Sequence, residues 1–107
     1  MSKHCFTMEL YPGCEDEYQR VHDEIWPELV ADTRAAGYTS YSIWRKGLTL
    51  FVYFECEDLE VTMRADSESA VGKRWATMCE RLVKIEIDPR TGLPYLLPCA
   101  WDLADAV

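Results

Sequence analysis

The sequence predicts an α+β domain with the element order β-α-β-β-α-β, the split βαβ arrangement of ferredoxin-like folds. Two observations predict it. Apolar residues alternate along three separate stretches, and steps of three and four residues dominate the segments between and after them. A third observation fixes the layering, because the central strand is apolar on both of its faces. At 107 residues there is room for one core, so a single domain over 1–107 is expected. An apolar content of 49% is enough to build that core and excludes a disordered tail.

The first strand is Lys3 to Leu10. His4, Phe6, Met8 and Leu10 face one way, Lys3, Cys5, Thr7 and Glu9 the other, and Tyr11-Pro12-Gly13 makes the turn. Glu15, Asp16 and Glu17 then crowd a helical first turn, where the macrodipole favours negative charge. The helical region runs to Ala36, with Gly37 as its stop. Within it Pro27 predicts a kink or a restart, and a restart would seat it at the first helical position. Tyr38 to Trp44 is the second strand, and Arg45-Lys46-Gly47 turns it into the third, Leu48 to Cys56.

On that third strand Leu48, Leu50, Val52 and Phe54 share one face, Phe51 and Tyr53 the other. Both faces therefore need a cover. Two helical regions cover one, and a second copy of the chain closing on the other gives a homodimeric α+β barrel. Asp58 caps a short helix through Ala65, and Asp66 or Ser67 caps a longer one with the stripe Val71, Trp75, Met78 and Leu82. Asp88-Pro89 and Thr91-Gly92 are turn signals between Ile85 and Pro94. Tyr95 to Leu103 reads as the last strand, which Pro98 confines to an edge or delays.

The net charge of −8 repels phosphate backbones, and the scattered basic residues form no patch, so nucleic acid is excluded as a partner. A small neutral molecule fits better. No apolar run is long enough to span a bilayer, and the N-terminus lacks a signal-peptide layout; no membrane and a cytoplasmic setting are expected. Five cysteines, odd in number and widely spaced, signal neither a disulfide framework nor a CxxC site. With only His4 and His22 there is no zinc spacing, so no metal is expected.

The chemistry concentrates between Tyr18 and Leu29. At helical spacing Tyr18, His22 and Trp26 share one edge, and Val21, Ile25 and Leu29 the neighbouring one. The second edge is an ordinary core stripe. The first resembles a pocket wall carrying one imidazole, the side chain that titrates unperturbed near neutral pH. Taken alone, His22 is equally a helix histidine satisfied by water or by Asp23 or Glu24, and Tyr18 and Trp75 are equally core aromatics. Arg74 reads as a solvated helix arginine, Trp26 and Trp44 as core or rim.

Phe6-x-Met8, Glu17-Tyr18-Gln19-Arg20-x-His22, Ile25-Trp26-Pro27-Glu28-Leu29, Tyr41-Ser42-Ile43 and Arg74-Trp75 with Met78 occur in register along nearly the whole chain. On these pieces the sequence resembles the L-rhamnose mutarotase family. The resemblance implies a dimeric α+β barrel that interconverts the α and β anomers of L-rhamnose, or of a related 6-deoxy pyranose, without metal or cofactor. It places the proton-donating histidine on His22 and sugar-contacting residues on Tyr18, Tyr41 and Trp75. Tyr41 and Trp44 face opposite ways, and the resemblance selects Tyr41 as the one that looks into the barrel. The family's tandem tryptophans fall on Trp75 and on Ala76, a departure that removes an apolar wall and leaves space beside the sugar. Two further readings stand beside the isomerase: a barrel enzyme of another type, such as a monooxygenase or cyclase on a small apolar substrate, and a non-catalytic sugar-binding module.

Overall fold

The computed structural model describes residues 2–106. Its main sheet has the order β2-β3-β1-β4, built from β1 (Ser2–Leu10), β2 (Tyr38–Lys46), β3 (Thr49–Cys56) and β4 (Val83–Lys84). All three pairings are antiparallel: Phe6 lies opposite Val52, Ile43 opposite Val52 from the other side, and Glu9 opposite Lys84. This is the ferredoxin-like α+β arrangement expected.

Pro27 restarts the helix rather than bending it. The first helix, α1, spans Glu15–Asp23, and α2 spans Pro27–Ala35 with Pro27 in its opening turn and Trp26 as an extended cap residue. A proline costs nothing there because its missing N–H would have no intrahelical partner. Gly37 ends the segment at φ 109°, a conformation that a side chain strains.

The second helical region differs from expectation at its joint. Helix α3 runs Leu59–Glu68, past Ala65, capped by Asp58 through the Val61 N–H at 3.2 Å. The following helix, α4 (Ala70–Cys79), is capped neither by Asp66 nor by Ser67 but by Ser69, whose hydroxyl accepts the Gly72 N–H at 2.9 Å. Asp66 belongs to the last turn of α3, which sets its carboxylate free for another use.

The C-terminal part also needs correction. The fourth strand of the sheet is Val83–Lys84, not Tyr95 to Leu103. Ile87–Asp88 (β5) and Leu93–Pro94 (β6) form a separate hairpin around the Asp88 to Gly92 turn signals. Residues 95–102 pass beside β1, and among the described residues the one backbone bond between them runs from Leu97 N–H to the Cys5 carbonyl, 2.7 Å. Pro98 follows immediately and has no N–H with which to extend a ladder. Lys3 and Asp102 hold the tail by an exposed ion pair at 3.1 Å.

The core lies between the sheet and the helices. Leu50, Val52, Phe54 and Cys56 of β3 are essentially inaccessible, as is Leu82, with Met8, Leu10, Tyr18 and Val21 packed around them. The opposite sheet face carries Thr7, Ser42, Trp44, Phe51 and Tyr53 by register. Trp44 there is 67% exposed and Phe51 36%.

Candidate active site

A cleft of about 550 Å³ opens between the helix layer and β2, within the range usual for small-ligand sites. Tyr18 and His22 of α1 and Tyr41 of β2 line it, so three of the four residues singled out by sequence meet in one cavity. Ile25 and Leu29 also face it, which takes them out of the plain core stripe expected of them; Ile25 is 37% exposed. Glu24 to Trp26 separate the two short helices, and both helices contribute residues to the cleft wall.

The His22 ring is held on several sides. Its Nδ1 lies 2.9 Å from the Tyr18 carbonyl oxygen. A carbonyl only accepts, so Nδ1 carries the hydrogen and the Nε2 lone pair is left available. No hydrogen bond occupies Nε2 among the described residues. The Tyr18 ring lies against the imidazole at 4.2 Å between centroids. Trp75 meets it edge-on at 5.3 Å and meets Trp26 in the same way at 5.1 Å. Trp75 is not part of the cleft lining; it buttresses the imidazole from α4. Arg74 reaches across to the Trp26 ring, 5.9 Å away, and stays exposed.

Tyr38 joins the site although strict alternation would turn it from Tyr41. A register shift between Tyr38 and Ser40 in the β2–β3 pairing supplies the extra residue, and both tyrosines then face the helices. Their rings meet edge-on at 5.2 Å, and both pack on Phe54. Trp44, three residues after Tyr41, points to the uncovered face instead. Burial pushes the phenols of Tyr18, Tyr38 and Tyr41 well above the usual tyrosine range, with neighbouring acidic groups adding to it. Tyr41 keeps 45% of its surface accessible and lines the cleft. All three therefore stay protonated at neutral pH and serve as hydrogen-bond donors.

Arg34 and Asp66 line the same cleft and were not anticipated by the sequence. Asp66 looked like a helix cap, and nothing in its neighbours' spacing points to a cavity. Burial raises its carboxyl pKa, and the nearby Asp32 charge raises it further. Ala76 lies in the wall of a second cavity of about 210 Å³ that shares Met8 and Tyr18 with the first.

The chain matches the family model for L-rhamnose mutarotase over residues 3–97. It is 36% identical over 90 residues to an L-rhamnose mutarotase of Oceanobacillus iheyensis, covering 82% of this chain and 86% of that one. It is 44% identical over 77 residues to an L-rhamnose mutarotase of Rhizobium johnstonii, covering 70% and 72%. The crystal structure of an L-rhamnose mutarotase from Formosa agariphila superposes with a TM-score of 0.71 at 22% identity, over 95% of this chain and 96% of that one, and supports the fold. These matches favour an isomerase over a barrel oxygenase, a cyclase or a passive sugar-binding module. The chain belongs to the L-rhamnose mutarotase family.

Proposed function

We propose that the cleft binds L-rhamnose, or a closely related 6-deoxy pyranose, and interconverts its anomers, with His22 as the acid–base group. One observation carries the reading: an imidazole whose Nδ1 is committed to a carbonyl stands in a cleft walled by neutral phenols. Mutarotation opens a hemiacetal and recloses it on the other face of the carbonyl. It requires a proton to leave the anomeric hydroxyl and another to arrive at the ring oxygen. General acid–base catalysis by one positioned side chain is typically worth about 10²- to 10⁴-fold, which suffices for a reaction that is already fairly easy in water. Tyr18 and Tyr41 supply donors for sugar hydroxyls, and Trp75 keeps the His22 ring in place.

The cleft lies within one chain, so the homodimer has a different part to play. Trp44 and Phe51 leave an aromatic patch on the uncovered sheet face, and a second copy packing sheet to sheet would bury it. Free thiols throughout suit a reducing compartment, in keeping with a cytoplasmic enzyme. Among the described residues no helix is long and apolar enough to cross a membrane.

The test is saturation-transfer NMR on equilibrated L-rhamnose. Enzyme-dependent exchange between the two anomeric proton signals is expected. Binding without exchange would leave a passive sugar-binding protein, and neither binding nor exchange would remove rhamnose as the substrate.

A further inference from the structure

Anomer exchange moves two protons, and His22 accounts for one. The cleft wall limits what can move the other. Its aliphatic hydroxyls do not ionise near neutral pH, and the Arg34 guanidinium offers only donors. The phenols of Tyr18, Tyr38 and Tyr41 hold their protons for the reasons given above. Asp66 remains, the one carboxylate lining the cleft among the described residues. It enters from the C-terminal turn of α3, a different wall from the α1 helix that carries His22. No ion pair or hydrogen bond occupies its carboxylate among the described residues, although Arg34 lines the same cleft. The groups facing it are Tyr38 and Tyr41 from β2 and Asp32 from α2. Asp32 is itself engaged by the Ser69 hydroxyl at the head of α4.

We propose that Asp66 is the second proton-handling group of this site, the carboxylate that takes the anomeric hydroxyl proton while His22 protonates the ring oxygen. The proposal rests on the reading of His22 given above. The step balances without any co-reactant. Asp66 removes the proton from the anomeric O–H, and that electron pair becomes the second bond of the carbonyl. The bond between the anomeric carbon and the ring oxygen breaks, and its electron pair takes the proton from the His22 imidazolium. Asp66 is then neutral and His22 uncharged. After rotation of the open aldehyde the sequence runs backwards on the other face, and both residues recover their starting forms. Burial, and then the Asp32 charge, raise the Asp66 carboxyl above the usual carboxylate range, which makes its carboxylate a stronger base toward the anomeric hydroxyl.

The experiment compares anomer exchange at saturating L-rhamnose for the parent, Asp66→Asn, Asp66→Ala and His22→Asn. Affinity is read from tryptophan fluorescence and folding from circular dichroism. Asp66→Asn should bind rhamnose nearly as the parent does and lose exchange by about 10²-fold. The parent's rate should fall as acid protonates Asp66, and that limb should be missing from the Asp66→Asn profile. Added formate should restore part of the exchange to Asp66→Ala. A folded Asp66→Asn protein that exchanges within a few-fold of the parent overturns the proposal, as does an Asp66→Ala protein that formate leaves unchanged. An active His22→Asn protein sinks the site reading and the proposal with it. An inactive His22→Asn protein beside a normal Asp66→Asn one sinks the proposal alone.

Discussion

Gly37→Ala probes the joint on which the cleft depends. Gly37 ends α2 and leads into Tyr38, so it fixes how the helix that carries Arg34 meets the strand that carries Tyr38 and Tyr41. Its φ of 109° alone should cost a side chain about 1–2 kcal/mol. A Cβ at this position would also lie 2.7 Å from Thr62 Oγ1. Thr62 is 2% exposed and β-branched on a helix, so it has little freedom to move aside. Overpacking of this kind adds about 1–3 kcal/mol. Gly47, at φ 61° with nothing within 4 Å of a built Cβ, supplies the control that carries the backbone cost alone. Gly37→Ala should therefore lower the urea-unfolding free energy by about 2–5 kcal/mol and Gly47→Ala by about 1–2 kcal/mol. In a Thr62→Ala background the excess should disappear. Equal losses for the two glycines, or an excess that survives removal of the Thr62 hydroxyl, would mean that Thr62 does not limit the space at Gly37.

Two further predictions concern charge and assembly. Because burial and Asp32 hold the Asp66 pKa above its unfolded value, its contribution to stability is fully present in acid and is lost as pH rises through the folded pKa. Asp66→Asn should thus be more stable than the parent at neutral pH, with the gap closing toward about pH 4; chemical denaturation across pH checks this, and a gap constant with pH would contradict it. Replacing Trp44 with Glu and Phe51 with Lys should turn a sedimenting dimer into a monomer while leaving the helix-side core intact. A parent that already sediments as a monomer at micromolar concentration would remove the dimer.

Much of this fold could be read from residue pattern because its long elements follow one period each. The alternation on β1 and β3, the proline restart and the Asp58 cap are local features, and local physics decides them. What escaped was decided elsewhere. The bulge that turns Tyr38 beside Tyr41 depends on how β2 meets β3, and no single strand reveals it. Asp66 has the chemistry of a helix cap, and only the placement of Ser69 as the actual cap releases it into the cleft. The tail after Pro94 is apolar enough for a strand, yet Pro98, which has no N–H, follows directly on the single bond from Leu97 to Cys5 and ends the pairing there. Trp75 sits on the predicted stripe, but whether it would face a ligand or brace the imidazole depended on where α4 packs.

In the proposed function the proton traffic of anomer exchange runs through the His22 imidazole. Saturation-transfer NMR on L-rhamnose with His22→Asn, at sugar concentrations that tryptophan fluorescence shows to be saturating, tests it most directly. A folded protein that binds the sugar and loses exchange by about 10²- to 10⁴-fold is expected. Exchange at the parent's rate in that variant would contradict it.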